Sequence, residues 1–345
     1  MHILYGVQGT GNGHISRASA MHAAFKRHYP DIKVTWLLSG REQRKGCGAI
    51  DHFLWREGIT FVTGEGRVKM LPTLMKNNIF RFFRDVRELD LRPYDLVISD
   101  FEPVISHAAR KRGIPVTGIG HQYAFDYAIP KEGNNPVVDT IMKNFAPVQT
   151  GIGLHWHHFN FPILPPIIDL VLPETMPRVQ ARKVIVYLPF DNLATVTRLL
   201  QHFPEFDFFI YHPDATKADT GNLHQRPISR DFKQDLLDAE LVITNSGFEL
   251  ISECLHLGKR ILCKPLLGQM EQLSNAAALK QLGYACVLKQ LDVAGVGAWL
   301  NDGAKPVQII YPDVPAELVR WIAEGQKETC AELAKKLWSA TTPTV

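Results

Sequence analysis

The sequence lacks the features that mark membrane-spanning, secreted and zinc-binding proteins. No apolar run approaches the about 20 residues that a membrane-spanning helix needs. The first residues contain no basic segment followed by an apolar stretch, which a secretory signal peptide would show. The five cysteines are scattered and form no CxxC pair, which argues against a disulfide framework and a zinc site. We therefore expect a cytoplasmic protein without a bound metal.

The chain also lacks a strong charge imbalance. It has 38 Lys and Arg against 35 Asp and Glu, a formal net charge of +3, which is too small to favour nucleic acid as a partner. Hydrophobic residues make up 46% of the chain and charged residues 21%, as in ordinary globular proteins. A length of 345 residues fits two domains of about 150 residues each, or one large barrel.

Short apolar runs alternate with amphipathic segments, which is typical of βα units around a parallel sheet. The predicted strands cover residues 3–7, 34–38, 60–62, 96–98, 116–119, 184–188, 206–211, 241–244 and 260–263. The predicted helices cover residues 16–27, 74–89, 103–112, 193–202, 248–257, 270–282 and 315–337. Between residues 161 and 177, five prolines interrupt the pattern, because proline disrupts both helices and strands. We interpret residues 161–180 as a linker between two domains.

A glycine-rich loop follows the first predicted strand and reads Gly9-Thr10-Gly11-Asn12-Gly13-His14. Glycines in a strand-to-helix turn let the backbone approach a ligand and direct free N–H groups at it. The spacing does not fit GxGxxG, which disfavours an NAD enzyme, and a tight turn with a surface histidine remains an alternative. An imidazole at a helix N-terminus, where the dipole disfavours its charged form, suits a general base.

A second group of motifs begins after the predicted strand at residues 241–244. Asn245 or Ser246 is expected to cap the following helix, whose first N–H groups suit a diphosphate. Glu253 lies two turns into this helix, where its carboxylate can accept hydrogen bonds from sugar hydroxyls. The start of another helix over the same crevice carries the polar residues Gln269, Glu271, Gln272 and Asn275.

The segment Ser246-Gly247-x5-Glu253-x4-Gly258, continuing through Pro265 and Glu271-Gln272-x2-Asn275-Ala276 to Leu282-Gly283, resembles the donor-binding signature of GT-B glycosyltransferases. It is most similar to the MurG-like family of UDP-sugar transferases, and the glycine-rich entry loop resembles theirs. The resemblance implies an α/β fold of the GT-B type, with two Rossmann-like doubly wound domains facing a central cleft. Residues 1–160 would bind the acceptor and residues 181–314 the nucleotide sugar, and residues 315–345 would return to the first domain as a helix.

The resemblance also implies roles for individual residues. Glu253 would bind the ribose, and Ser246 with Gly247 would bind the diphosphate. The full donor-binding set comprises Gly11, Gly13, Asn245, Ser246, Gly247, Phe248, Glu253, Gln269, Glu271, Gln272 and Asn275, with Ile228 and Ser229 as contacts to the base. The chain departs from the pattern at residues 188–192, where Leu-Pro-Phe-Asp-Asn replaces a glycine-rich loop that contacts phosphate, and at Glu271, where MurG has Gln.

Displacement of a nucleoside diphosphate from a sugar needs a base for the acceptor hydroxyl and positive potential for the leaving group. The candidate bases, which lie at the carboxyl ends of predicted strands, are His14, Asp100, Glu102 and His121. For each of them, a helix cap or a loop hydrogen bond is the alternative. Asp100-Phe101-Glu102 also matches a metal-binding DxD, and His155 with His157 suggests zinc, but the predicted sheet order and the absence of further ligands disfavour both.

Residues 67–92 carry seven cations against three anions, interspersed with Met, Leu, Ile and Phe. This mixture suits the surface of an anionic membrane, and equally an amphipathic helix that packs its Phe residues into the first domain. We predict a metal-independent, inverting glycosyltransferase that needs no cofactor. It would move a hexose-type sugar from a UDP-sugar to an acceptor hydroxyl, and our hypothesis is a lipid-linked or envelope-related acceptor at the inner face of the membrane. The alternatives are an epimerase similar to UDP-GlcNAc 2-epimerase and a non-catalytic nucleotide-sugar-binding protein.

Overall fold

The computed structural model describes residues 1–60, 63–64, 67–68, 78–133, 136–170, 172–229 and 231–344. Within these residues, two parallel sheets with helices form two α/β units that follow one another along the chain. None of the described helices combines the length and the apolar character that crossing a membrane requires.

The first unit is built on a six-stranded parallel sheet. The strands of this sheet are β1 (His2–Gln8), β2 (Lys33–Ser39), β3 (Phe53–Trp55), β6 (Leu96–Asp100), β7 (Thr117–Gly120) and β8 (Thr150–Gly153). A separate two-stranded pair consists of β4 (Thr63–Gly64) and β5 (Arg67–Val68). The helices of the first unit are α1 (Gly13–His28), α2 (Ile79–Glu88), α3 (Pro103–Arg112) and α4 (Pro136–Phe145), with 3-10 helices at Gln43–Lys45 and His121–Asp126. The sheet has the order β3-β2-β1-β6-β7-β8, and β4 pairs with β5. The chain therefore reverses its direction of sheet growth between β1 and β6.

The second unit contains a seven-stranded sheet in the order β11-β12-β10-β9-β13-β14-β15, in which only β11 is antiparallel. Its strands are β9 (Gln180–Tyr187), β10 (Asp207–Tyr211), β11 (Ala218–Thr220), β12 (Leu223–Arg226), β13 (Ala239–Asn245), β14 (Arg260–Lys264) and β15 (Cys286–Val287), and a separate pair is formed by β16 (Gln308–Ile310) and β17 (Thr342–Thr344). Its helices are α5 (Leu193–Leu200), α6 (Asp231–Asp238), α7 (Phe248–His256), α8 (Met270–Leu282), α9 (Val293–Asn301), α10 (Val314–Ala323) and α11 (Cys330–Ser339). Here the growth of the sheet reverses between β9 and β13.

The central strands of both sheets are apolar along most of their length, so both faces of each sheet must be covered by helices. In β1 the side chains of Ile3, Leu4 and Tyr5 are fully buried although neighbours in a strand point to opposite faces. Such runs are typical of central strands in parallel sheets. The two reversal points are the topological switch points beside which open α/β sheets bind their ligands.

The segment between the two units is packed rather than exposed. Ile163 and Leu164 are fully buried, and Leu154 forms an isolated β-bridge with Leu164. Prolines remove backbone donors and prevent helix formation here, while the apolar residues between them join the core that both units share.

The end of the chain returns to the first unit, because α10 packs against α1. The prediction of one helix over residues 315–337 is wrong, since two helices, α10 and α11, occupy this region. Gly325 and Gln326 between them have φ values of 79° and 57°, in the left-handed region that a continuous helix cannot contain. Thr329 then starts α11 through a capping box with Glu332.

Most predicted elements of the sheets are present, with shifts of at most four residues at their ends. The strand predicted at residues 60–62 and the first part of the helix predicted at residues 74–89 fall mainly outside the described residues. The sequence did not indicate several of the described elements, which are β3, β4, β5, α4, β8, β11, β12, α6, β15, α9, β16 and β17.

Candidate active site

The two units meet where α1 and α7 begin, at their respective switch points, and these helices contact each other. Glu249 in the first turn of α7 forms an ion pair with Arg17 near the start of α1. A Cβ on Gly13 would meet this carboxylate, so a side chain at this position would have to displace Glu249. We call the space between the carboxyl edges of the two sheets, around these helix starts, the cleft.

His14, Asp100 and Arg17 form a buried cluster on the first unit's side of the cleft. Nδ1 of His14 lies 2.8 Å from Oδ1 of Asp100. Arg17 donates to both oxygens of Asp100, from Nε at 2.8 Å and from Nη2 at 2.6 Å. Nδ1 of His14 also lies 2.8 Å from Nη2 of Arg17, which can only donate, so the tautomer that donates from Nδ1 to Asp100 excludes a hydrogen bond from Arg17. Among the described residues, no hydrogen bond of the His14 ring involves Nε2, which leaves this nitrogen for a ligand. The arrangement is that of a base oriented by a carboxylate.

Opposite charges keep Asp100 and Arg17 ionised although both side chains are buried. Burial favours the neutral carboxyl group, but Arg17 and His14 hold the pKa of Asp100 below its usual value. Burial likewise disfavours the charged guanidinium, yet Asp100 and Glu249 raise the pKa of Arg17. Asp100 is thus available as a permanent negative partner of the His14 ring.

Glu102, one of the four candidate bases, has a structural role instead. Its oxygens accept hydrogen bonds from the backbone N–H groups of Val104 at 2.8 Å and Ile105 at 2.6 Å, which makes it the N-cap of α3. Ser39 donates its hydroxyl to the same carboxylate at 2.5 Å. Burial raises the pKa of Glu102 to about 7. Because its acceptor positions face the helix start and it is fully buried, Glu102 is a helix cap and not a candidate base.

His121 has contacts at both ring nitrogens and on its ring face, and these contacts join the two units. Its Nδ1 lies 2.8 Å from the carbonyl oxygen of Leu154, and its Nε2 lies 2.7 Å from Oδ1 of Asn275. Its ring stacks on Phe248 with centroids 3.9 Å apart. The expectation of a base at His121, and of donor contacts by the fully buried side chain of Asn275, is corrected by these contacts, which are interdomain packing.

The N-terminus of α7 is open, although not in the way the sequence suggests. The expected cap at Asn245 or Ser246 is wrong, because Gly247 is the N-cap residue and no side chain caps the helix. Ser246 donates its hydroxyl to the carbonyl of Gln272 at 2.7 Å. A Cβ placed on Gly247 would meet no atom within 4 Å. Uncapped N–H groups beside open space can bind an anion.

Glu253 is buried beneath a lysine that no motif in the sequence singles out. It is 3% exposed and forms an ion pair with Lys233 of α6. Lys233 also donates to the carbonyl of Asp169 at 2.7 Å, and Ser16 donates its hydroxyl to Oδ2 of Asp169 at 2.7 Å. Burial raises the pKa of Glu253 to about 7, against the effect of Lys233. Ile228 and Ser229, the expected contacts to the nucleotide base, lie just before α6 in the chain.

The polar residues at the start of α8 divide into two groups. Gln122 donates from Nε2 to Oε2 of Glu271 at 3.1 Å, so these side chains meet across the cleft. Gln269 precedes α8 without capping it, and its Oε1 has no partner among the described residues. Gln272 instead accepts a hydrogen bond from the backbone of Leu266 at 2.9 Å, which gives its side chain a structural role.

The entry loop touches the second unit directly. Gly11 has a φ of 84°, and a Cβ there would meet no atom within 4 Å. Asn12 donates from Nδ2 to the hydroxyl of Tyr187, which ends β9, at 3.2 Å. Gly11 and Gly13 thus border the cleft, one beside open space and one beside Glu249.

The described residues contain no group of three or more His, Cys, Asp or Glu side chains that could hold a metal ion. In the histidine-rich segment, burial holds the pKa of His155 well below its usual value. Its Nδ1 accepts a hydrogen bond from the backbone N–H of Trp156 at 2.9 Å.

Two Rossmann-like units with their carboxyl edges at a common cleft define the GT-B class of glycosyltransferases. A family model described as glycosyl transferase family 1 matches residues 1–302, and the chain belongs to this family. It is therefore a glycosyltransferase of the GT-B type, and the predicted fold class is confirmed.

Solved structures resemble the chain over nearly its whole length. SsfS6 from Streptomyces sp. SF2575, a glycosyltransferase complexed with thymidine diphosphate, has 12% identity and a TM-score of 0.60, covering 94% of this chain and 100% of that one. MurG from Acinetobacter baumannii has 16% identity and a TM-score of 0.53, covering 94% and 99%. The spinosyn rhamnosyltransferase SpnG, complexed with spinosyn aglycone, has 14% identity and a TM-score of 0.53, covering 98% and 95%. A search of curated proteins finds no match. MurG is one of several such neighbours, so the finer MurG-like assignment stays a prediction.

Proposed function

We propose that this glycosyltransferase moves a hexose from a UDP-sugar to an acceptor hydroxyl, with inversion and without a metal ion. The observation that carries the proposal is the pairing of His14 with Asp100 on one side of the cleft and the uncapped start of α7 on the other. The first can accept a proton, and the second can hold a diphosphate.

In this mechanism, Nε2 of His14 removes the proton from the acceptor hydroxyl as its oxygen attacks the anomeric carbon. Asp100 accepts the hydrogen bond from Nδ1 and stabilises the imidazolium that forms. The bond from the anomeric carbon to the diphosphate breaks, and the N–H groups at the start of α7 stabilise the departing charge. A single displacement with base and leaving group on opposite sides inverts the configuration.

Transfer and epimerisation are separated by the need for an acceptor. The protein is incubated with UDP-GlcNAc alone and with a panel of hydroxyl acceptors, and the sugar is followed by NMR. We expect UDP release and a new glycosidic bond only with a suitable acceptor. Conversion of the sugar to its 2-epimer without acceptor would favour the epimerase, and binding without turnover on every acceptor would favour the non-catalytic alternative.

The nucleotide is tested by thermal shift, since a ligand that binds only the native state raises its apparent stability. The panel contains UDP, dTDP and GDP, with dTDP included because SsfS6 was solved with thymidine diphosphate. We expect the largest shift with UDP. A larger shift with dTDP or GDP would contradict the UDP assignment and leave the transferase assignment in place.

Replacement of Glu253 by Ala should weaken UDP binding by about 10- to 100-fold, because hydrogen bonds to a charged group contribute about 1.5–3 kcal/mol. The fold should persist, since the Lys233 side chain left behind is 34% exposed and can be hydrated. Calorimetry with UDP measures the affinity. The UDP affinity of Glu253→Gln, which keeps the shape of the side chain, should lie between those of the unmodified protein and Glu253→Ala. Unchanged affinity in both variants would count against a ribose contact at Glu253.

We also propose that α2 contacts an anionic membrane that carries the acceptor. Phe80 and Phe83 are 91% and 62% exposed, whereas Phe82 is buried, so the alternative of Phe packing into the first unit holds only for Phe82 among these three. Beside them, α2 and α3 line a groove of about 740 Å³ with four cationic side chains, those of Arg84, Arg87, Arg110 and Lys111. Exposed aromatic rings among cations suit an anionic lipid surface. Residues 69–77 of the basic segment lie outside the described part of the chain.

In flotation assays at low salt, the protein should rise with vesicles containing phosphatidylglycerol and stay behind with neutral vesicles. The double variant Phe80→Ser and Phe83→Ser should lose at least about tenfold in bound fraction, because it removes most of the apolar surface of the patch. Val293→Ser in α9, which removes an exposed apolar side chain of the other unit, is the matched control. Equal flotation of both variants would contradict a membrane contact through α2.

A further inference from the structure

The carboxyl edge of the second sheet carries an ion pair that the mechanism above does not use. Lys264 ends β14, and its Nζ pairs with Oδ1 of Asp191 in the segment between β9 and α5. Their side chains are only 13% and 16% exposed. Asn245, which ends β13, donates from Nδ2 to Oδ2 of Asp191 at 3.3 Å and to the carbonyl of Lys264 at 3.1 Å. The three residues form one cluster.

This cluster lies at the switch point between β9 and β13, outside whose carboxyl ends a ligand is expected. The register pairs Asn245 with Lys264, so their Cα atoms are about 4.8 Å apart on neighbouring strands. Gly247, the N-cap of α7, follows Asn245 by two residues. The ammonium group of Lys264 therefore borders the same part of the cleft as the open helix start.

One atom of the cluster lacks a partner. Oδ1 of Asn245 forms no hydrogen bond with any described residue, although Asn245 is 4% exposed. Leaving a buried polar atom unpaired is costly, and such atoms in native proteins call for a physical reason. Because an amide oxygen only accepts hydrogen bonds, a ligand that completes this cluster has to donate to it, as a hydroxyl group of a nucleotide sugar can and a phosphate oxygen cannot.

The charge balance indicates which group of the ligand Lys264 would meet. A diphosphate carries at least two negative charges, whereas a helix N-terminus supplies the equivalent of about half a positive charge. Asp191 stands in the segment where the resembled family has a phosphate-contacting glycine-rich loop, and an unpaired carboxylate there would repel a diphosphate. An ammonium group has three N–H donors, so Lys264 can neutralise Asp191 and still donate to phosphate oxygens.

We propose that Lys264 binds the diphosphate of the sugar donor and takes the place of the missing glycine-rich contact. The inference rests on the proposed function and adds a residue to it. Asp191 holds the ammonium group at the edge of the sheet before the donor arrives. When the anomeric carbon–oxygen bond breaks, its electron pair stays on the phosphate oxygen, and Lys264 and the start of α7 stabilise that charge. The acceptor oxygen forms the new bond, and its proton goes to His14.

Three variants test this assignment by calorimetry with UDP: Lys264→Met, Asp191→Asn and the double variant. Lys264→Met should bind UDP at least about tenfold more weakly, since it loses a charge-assisted contact and exposes the carboxylate of Asp191. Asp191→Asn should bind UDP as tightly as the unmodified protein or more tightly. The double variant should bind more weakly than Asp191→Asn, because the contact from Lys264 to phosphate is still missing.

The outcomes separate a phosphate contact from a structural ion pair. Equal UDP affinity of the double variant and Asp191→Asn would show that Lys264 only neutralises Asp191, and would overturn the proposal. Thermal unfolding monitors the fold, and Lys264→Arg, which keeps the charge, should restore most of the affinity lost in Lys264→Met. If the unmodified protein binds no nucleoside diphosphate, the proposed function fails. If it binds UDP and Lys264→Met binds equally well, only the present inference fails.

Discussion

Replacement of His14 by Asn should lower the rate of sugar transfer by about 100- to 10,000-fold, the range that a general base contributes. UDP binding should stay unchanged, because the side chains that contact the His14 ring at Nδ1, those of Asp100 and Arg17, both belong to the first unit. The amide of Asn can still donate to Asp100, so the buried carboxylate keeps a partner. Initial rates of UDP release with an active acceptor, together with calorimetry, measure the two quantities.

His28→Asn provides the matched control, since it makes the same exchange at an exposed position in the last turn of the same helix. This variant should transfer sugar at the unmodified rate. If His14→Asn kept more than about a tenth of the activity, the proton would have to leave by another route, and the role of base would pass from His14.

Replacement of Asp100 by Asn should destabilise the protein by about 3–5 kcal/mol, the usual effect of breaking a buried ion pair from one side. Arg17 would remain as a buried cation with Glu249 as its other charged partner. Sugar transfer should fall as well, because Asn does not stabilise the imidazolium of His14. The midpoint of urea unfolding reports the stability, and UDP release reports the rate.

The pH dependence of the stability gives a second measure of the ion pair between Asp100 and Arg17. Burial opposes ionisation of Asp100, but Arg17 and His14 hold its pKa below the usual value. A depressed carboxyl pKa stabilises the fold above the unfolded-state value of about 4, and this stabilisation is lost as the pH falls further. Asp100→Asn should therefore lose less stability on acidification than the unmodified protein.

Asp90→Asn is the control for a carboxylate whose removal should matter little. Asp90 pairs with Arg92 at the surface, and exposed pairs contribute at most about 1 kcal/mol. If Asp100→Asn and Asp90→Asn shifted the unfolding midpoint equally, the cluster around Arg17 would not be the stabilising contact that its burial indicates.

The sheets were predictable from the sequence because their central strands are continuous apolar runs. β1 and β13 are buried on both faces, and a short apolar run such as residues 241–244, followed by a helix-start signal, is typical of such strands. The elements that escaped prediction give weaker signals. β7 and β8 both read Thr-Gly-Ile-Gly, with two glycines that disfavour a strand on their own. The apolar Val116 directly precedes β7, whereas Gln149 precedes β8, which pairs with the edge of β7.

The candidate site was predictable in location more than in the role of each residue. His14 and Asp100 follow parallel strands, whose carboxyl ends share an edge, so their proximity was expected. Glu102 precedes Pro103, and an acidic residue just before a proline at the first helical position is a capping signal that could have identified its role. Arg17 and Lys264 had no such signal, because their partners lie 83 and 73 residues away in the chain.

The contacts of Lys233 have a thermodynamic consequence for the whole enzyme. This side chain joins Glu253 in the second unit to Asp169 in the segment between the units, and Asp169 in turn joins Ser16 in the first. A ligand that changes the contacts of Lys233 with Glu253 and Asp169 also changes the free energy that holds the two units together. Linkage of this kind is reciprocal. A change that shifts the equilibrium between open and closed arrangements of the two units must then alter the affinity for that ligand by the same factor by which the ligand shifts this equilibrium.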